Sequence, residues 1–311
     1  MAVNLQGRNL VSISDLTAEE LWEILNTAQT MKLENLRRQP HPVLAGKTLG
    51  MIFQKPSLRT RVSFEVGMTQ LGGHAIYLAP GDISLGKRET TEDIALVLSR
   101  YCDLLMARVF GHEIIVDLAE HATVPVINGL SDREHPCQIL ADLQTIFEKK
   151  GCLTGLNIVY SGDGNNVAHS LMYGAALLGM NLTVVTPPGY EPDAGILKES
   201  QAMAEANACT IAVGNDLLRA CEGADVIYTD VWASMGQEAE AEERGKLFMP
   251  YQVNRKLLEV ADEQVIIMHC LPAHYGEEIE YEVSRTEHCV IFDQAENRMH
   301  AQKALMALIG G

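Results

Sequence analysis

The stretch TLGMIFQKPSLRTRVSFEV, residues 48–66, contains three kinds of sequence in immediate succession. Thr48 to Phe53 is an apolar run of strand length, and Gln54 to Pro56 breaks it. Ser57 then stands at an N-cap position, and Val62 and Val66 lie four apart on the helix that it opens. A strand that passes through a polar loop into a helix is the repeating unit of a parallel sheet.

The same alternation extends on both sides. Upstream, Thr17 with Glu20 three residues on forms a capping box, followed by Leu21, Ile24, Leu25 and Ala28 on one helical face. Downstream, strand-like runs at Ala75 to Leu78, Leu104 to Val109 and Val124 to Ile127 are separated by helical patterns. A helix from near Pro136 carries Ile139, Leu140, Leu143, Ile146 and Phe147 toward a core and stops at Gly151, which sets the end of a first domain at residue 150. A second set of runs follows at Asn157 to Tyr160, Leu182 to Val185, Thr210 to Val213, Val226 to Tyr228, Val265 to Met268 and Val290 to Phe292. Ala301, Ala304, Leu305 and Leu308 predict a closing helix. At 311 residues the chain is long for one core and natural for two. The expected class is α/β, with two doubly wound parallel-sheet domains, 1–150 and 151–295, and an active site in the cleft between them.

Composition narrows the partners. A formal charge of −17 repels nucleic acid and anionic membranes, so an anionic substrate needs a local basic pocket. No apolar run is long enough to span a bilayer, and MAVNLQGRNL lacks the basic start and apolar core of a signal peptide, so a soluble cytoplasmic protein is expected. Seven scattered cysteines without a C-x-x-C pair read as reduced thiols, and no metal site is expected. The acidic run Gln237 to Glu243 reads as a solvated loop or helix end.

In open α/β sheets ligands bind beyond the carboxyl ends of strands, and the polar clusters fall there. Arg59 and Arg61, with Ser57 and Thr60, stand in the first turn of a helix whose terminus already favours anions, which makes a phosphate cradle; surface arginines on a capped helix are the alternative. Arg108 directly after a buried strand needs an anionic partner, either structural or substrate. His135 and Gln138, three apart at a helix start, can face one ligand, although a lone histidine there is more often structural. The loop Gly162-Asp163-Gly164-Asn165-Asn166 lacks the third glycine and the distal acid of a dinucleotide site, which argues against NAD; Asn165 reads as an Asx cap. Asp230 with Ser234 suits an α-ammonium group, and the Met235 amide an α-carboxylate, with capping an equal alternative for Asp230 and Ser234. Cys270 reads as a structural or substrate-orienting thiol rather than a nucleophile.

Taken together, SLRTR, HPCQ, DGNN, the D-x-x-x-SMG spacing, HCLP and ENR resemble the motifs of the aspartate and ornithine carbamoyltransferase family over nearly the whole chain, and SMG and HCLP resemble its ornithine branch. The resemblance implies that carbamoyl phosphate binds Ser57, Leu58, Arg59, Thr60, Arg108 and the HPCQ residues His135, Pro136, Cys137 and Gln138, with Cys270, Leu271 and Arg298 around the carbamoyl group. It places ornithine on Asn166, Asp230, Ser234 and Met235, makes Arg108, His135, Thr60, Cys270 and Arg298 the catalytic set, and joins the closing helix, from about residue 296, to the first domain. It also implies a homotrimer with shared sites, in which Ser84 reaches a neighbour's phosphate.

Leu58 stands where the family has threonine, leaving only its N–H for phosphate, and Ser84 where the ornithine branch often has Gln or His. The implied reaction carries the carbamoyl group to the δ-amine of L-ornithine, giving L-citrulline and phosphate in arginine metabolism, without a cofactor. Rival readings are another acceptor (putrescine, N-acylated ornithine or aspartate) and a non-catalytic paralogue that binds carbamoyl phosphate. Aspartate would call for extra cations where D-x-x-x-SMG offers an acid, and an N-acylated ornithine has no α-ammonium for Asp230.

Overall fold

The computed structural model describes residues 3–83, 89–233 and 240–311. They form two compact units, Met1–Gln144 with Glu296–Gly311, and Thr145–Ala295.

The first unit opens with helix α1 (Ala18–Leu36). Thr17 Oγ1 accepts the Glu20 N–H, the Glu20 carboxylate accepts the Thr17 N–H, and Leu21, Ile24, Leu25 and Ala28 are buried. Then follow β1 (Thr48–Phe53), α2 (Leu58–Gln70), β2 (His74–Leu78), α3 (Pro80–Ile83), α4 (Thr91–Leu98), β3 (Leu104–Arg108), α5 (His112–His121), β4 (Val126–Leu130) and α6 (Pro136–Lys150). The sheet is parallel, in the order β2-β1-β3-β4. The chain leaves β1 for β2 on one side and returns to β3 on the other. The loops after β1 and β3 therefore part company, which opens the crevice where doubly wound sheets bind ligands. Register pairs Phe53 with Arg108, so the two loops start side by side. Every residue of β3 is buried, Arg108 included.

The second unit contains β5 (Asn157–Ser161), α7 (Asn166–Leu177), β6 (Asn181–Val185), α8 (Ala194–Ala206), β7 (Ile211–Gly214), α9 (Leu217–Ala220), β8 (Val226–Thr229), α10 (Ala241–Phe248), α11 (Arg255–Val260) and β9 (Ile266–His269). Its parallel sheet has the order β7-β6-β5-β8-β9, so its reversal lies between β5 and β8. Ser161 pairs with Thr229, which sets the DGNN loop beside Asp230.

The run Val290 to Phe292, expected as a strand, belongs almost wholly to a helix. Cys289 makes one isolated bridge to Ile267, the Val290 N–H donates to the Ile267 carbonyl at 3.0 Å, and α12 (Ile291–Gly310) begins at once. Three apolar residues carry no period that separates a strand from the first turn of a helix, and Phe292 is exposed. The division between the units falls inside α6, between Gln144 and Thr145. The last turn of α6 is tied to the second unit, where Lys149 pairs with Asp293 and Lys150 Nζ donates to the Gln264 carbonyl at 2.6 Å.

Candidate active site

In the first unit, Ser57 caps α2: its Oγ accepts the Thr60 N–H at 3.3 Å and donates to Thr60 Oγ1 at 3.1 Å. Leu58 and Arg59 stand in the first turn of α2, where a helix directs N–H groups outward from its end. The Leu58 side chain is exposed. The two arginines of this turn diverge. Positions two apart on a helix point in nearly opposite directions, and Arg61 turns away to Glu65 at 2.9 Å and over the Tyr77 ring at 4.0 Å.

His135 directly precedes α6, its carbonyl accepting the N–H groups of Gln138 and Ile139. Burial pushes its imidazole well below the usual 6.5, and the charges of Arg298, Arg108 and Arg59 push the same way. A neutral, buried imidazole thus sits in the field of three guanidinium groups. Arg298, on α12 and 3% exposed, donates from Nη1 to Gln138 Oε1 at 2.7 Å, and Gln138 Nε2 donates to Asp142 Oδ1 at 2.8 Å. With its side-chain amide turned so that both ends find partners, Gln302 accepts from Arg298 Nη2 at 3.0 Å through its oxygen and donates to Ser63 Oγ at 2.6 Å through its nitrogen. One polar network thereby ties α2, α6 and α12 together. Cys137 turns into the core, donating to the Asn128 carbonyl at 3.4 Å, with its thiol pushed up to about 12 by burial. The Cys137 side chain is thus taken up by the core. Ser84 lies outside the described residues.

In the second unit, Asn165 caps α7 as an Asx cap: its Oδ1 accepts the N–H groups of Val167 and Ala168 at 3.0 and 3.2 Å and the Tyr160 hydroxyl at 3.1 Å. Its Nδ2 donates to Asp230 Oδ2 at 2.9 Å. Asp230 Oδ1 accepts the Val231 N–H at 2.8 Å and the Cys270 thiol at 2.9 Å. Asp230 is thus more than a cap, and Oδ2 retains a lone pair for a further donor. Tyr160 is held well above its usual 10, by burial first and then by Asp230, so it serves as a donor. A thiol that donates to a carboxylate is poorly placed as a nucleophile. Asn166 opens α7, half-buried beside Asn165, and Leu271 follows Cys270 with φ of 59°. Ser234 and Met235 lie outside the described residues.

Asp230, His269 and Cys270 present ligand atoms within 4.8 Å of one another. Both imidazole nitrogens of His269 are engaged, Nδ1 by the Leu271 N–H and Nε2 by Glu278, so the trio offers a metal only a carboxylate and a thiol. Gly164 has a packing reason, since a Cβ there would lie 2.3 Å from the Pro192 nitrogen.

The model for the carbamoyl-P binding domain of aspartate/ornithine carbamoyltransferases matches residues 8–148, and that for the Asp/Orn binding domain matches residues 154–309. The chain belongs to the aspartate/ornithine carbamoyltransferase family. It is 58% identical over 311 residues to the ornithine carbamoyltransferase of Thermococcus kodakarensis, covering 100% of this chain and 99% of that protein. The anabolic ornithine carbamoyltransferase of Pyrococcus furiosus is 56% identical over 311 residues, with 100% and 99% covered. The solved ornithine carbamoyltransferase structure from that organism superposes with a TM-score of 0.97 over 99% of this chain and 98% of that one, at 56% identity.

Within this carbamoyltransferase chain, two residues near the motifs escaped the sequence reading. Arg244 on α10 donates from Nη1 to Asp163 Oδ2 at 2.9 Å and to the Trp232 carbonyl at 3.0 Å. Glu278 is fully buried against His269. Arg244 was masked by the acidic run around it, and Glu278 had no signal beyond being one acid among 41 acidic residues.

Among the described residues no helix is long and apolar enough to cross a membrane.

Proposed function

We propose that the protein transfers the carbamoyl group of carbamoyl phosphate to the δ-amine of L-ornithine, giving L-citrulline and phosphate. The observation that carries the reading is the convergence of Arg59, Arg108 and Arg298 on a neutral His135 in a chain of formal charge −17. A local cationic pocket in an acidic protein selects a small anion. Relatives named ornithine carbamoyltransferase, at 56–58% identity, support ornithine as acceptor.

Ser57, the Leu58 N–H, Arg59 and the backbone of His135 to Gln138 hold the phosphate. Arg108, Thr60 and His135 face the carbonyl oxygen, which becomes an oxyanion as the neutral amine attacks. The N–C bond forms, the C–O bond to phosphate breaks with its electron pair on the leaving oxygen, and the proton lost by the amine goes to the departing phosphate. His135 suits this as a neutral donor that adds no charge to release. Arg298 and the Cys270–Leu271 turn orient the carbamoyl group. Asp230 receives the α-ammonium of ornithine, with Asn166, Ser234 and Met235 around its carboxylate.

Leu58, Val62 and Val66 on α2 and Ile76 on β2 form an exposed apolar set at the open edge of the first sheet. That edge supports self-association as a homotrimer, with Ser84 contributed to a neighbouring site. The relative named anabolic supports a place in arginine biosynthesis. The test is incubation with carbamoyl phosphate and separate amines, namely ornithine, N-acetylornithine, putrescine and aspartate, with products identified by mass. Citrulline from ornithine alone is the expected result; a carbamoylated product from another amine would overturn the assignment.

A further inference from the structure

Strand β9 ends on His269, and both nitrogens of its buried ring are engaged. Nδ1 accepts the Leu271 N–H at 2.8 Å, which puts the ring proton of the neutral imidazole on Nε2. Nε2 donates to Glu278 Oε1 at 3.0 Å, and the same oxygen accepts the His274 N–H at 2.5 Å. The backbone N–H of His269 donates to Gln294 Oε1 at 2.9 Å, and Gln294 Nε2 donates to the Tyr228 hydroxyl at 3.1 Å. His269 and Glu278 are 1% and 0% exposed. As a source of stability alone, a buried imidazole and carboxyl have no advantage over an apolar pair of the same volume.

Their local effect is to hold a turn. Leu271 has φ of 59°, in the left-handed region that a leucine occupies only when its surroundings impose it. The imidazole acceptor on its N–H supplies that constraint. Cys270, between the two, is directed so that its Sγ donates to Asp230 Oδ1 at 2.9 Å.

We propose that His269 and Glu278 form a positioning dyad, which sets the Cys270–Leu271 turn for carbamoyl transfer while touching neither substrate. The role in turnover rests on the function proposed above. The chain of dependence runs from Glu278 to the ring tautomer, from the tautomer to the Leu271 N–H, and from that bond to the direction of the Cys270 thiol. Groups held this way hold reacting atoms within fractions of an ångström, and small misplacements are costly.

Glu278→Ala removes the acceptor for Nε2–H, so the ring can take the other tautomer, in which Nδ1 carries the proton and cannot accept the Leu271 N–H. Citrulline kcat should fall by about 10²-fold, with KM for both substrates within about threefold of wild type. Iodoacetamide labelling of Cys270, followed on its own peptide by mass spectrometry, should quicken as the thiol leaves Asp230. Glu278→Gln keeps an acceptor oxygen and should restore both readouts. His269→Gln keeps a polar group toward Glu278 but cannot accept the Leu271 N–H, so it should repeat the damage, and it carries the test if Glu278→Ala does not fold. Wild-type kcat and labelling in His269→Gln, or a Glu278→Gln as damaged as Glu278→Ala, would overturn the dyad. A wild-type protein that makes no citrulline would sink the reading of the activity instead, and the labelling shift would still support the dyad as a device that orients the thiol.

Discussion

Removing Arg244 should destabilise the second unit more than any exposed substitution in it. Its side chain is 7% exposed, as against 12% for Asp163. Nη1 joins Asp163 to the Trp232 carbonyl, and the guanidinium lies 4.8 Å from the centre of the Tyr190 ring. Arg244→Ala therefore leaves a carboxylate buried without its counter-charge, a loss that costs about 3–5 kcal/mol. The contact to the exposed Glu240 adds at most about 0.5 kcal/mol. For a unit of this size the midpoint of thermal unfolding should drop by roughly 6–20 °C. The loss should also depend on pH. Burial already holds the Asp163 carboxyl above its usual 3.8, and Arg244 pulls it back down. Without Arg244 the folded value climbs further above the unfolded one, so the folded variant binds more protons than the unfolded chain. Its stability is then present at low pH and lost as pH rises through the Asp163 titration, and the deficit should shrink from about pH 7 toward pH 4. Trp232 is buried 6.0 Å from the Phe248 ring and reports unfolding of this unit by fluorescence, with Trp22→Phe removing the other indole. A deficit under about 1 kcal/mol, or one of the same size at every pH, would refute the reasoning.

Arg59→Ala should weaken carbamoyl phosphate binding about 10- to 100-fold by equilibrium titration, the loss of one charged hydrogen-bond donor, with an unchanged unfolding midpoint; unaltered binding would remove Arg59 from the site. Asp230→Asn should weaken ornithine binding by a similar factor, about 10- to 100-fold, and leave carbamoyl phosphate binding in place, whereas equal loss of both ligands would assign Asp230 to structure. His135 has a folded pKa well below 6.5, so the unfolded chain takes up a proton that the folded chain refuses, and stability falls as pH drops below 6.5. His135→Gln should flatten that acid limb in urea unfolding between about pH 7 and 5, and an unchanged slope would count against a neutral buried ring.

Local patterns were legible wherever adjacent residues determine the outcome. The Thr17 box, the Ser57 and Asn165 caps and the parallel strands follow from short-range geometry and from apolar runs bounded by polar loops, so reading along the chain was enough. The same method failed at Val290 to Phe292, because a run of three apolar residues fits either a strand or a helix start, and only the packing of α12 decides. It also could not separate Arg59 from Arg61, which are neighbours in sequence but lie on opposed faces of α2. What the sequence determined alone was the alternating α/β layout, the chemistry of each loop and the family resemblance. Which side chains act on one another was decided by tertiary structure, because those links join residues far apart in the chain. Arg298 meets Gln138 across 160 positions, Arg244 meets Asp163 across 81, and the Cys270 thiol meets Asp230 across 40. Burial has the same origin: His135 is neutral because the fold removes its water and surrounds it with three arginines, and no one-dimensional pattern encodes the solvent that a side chain loses.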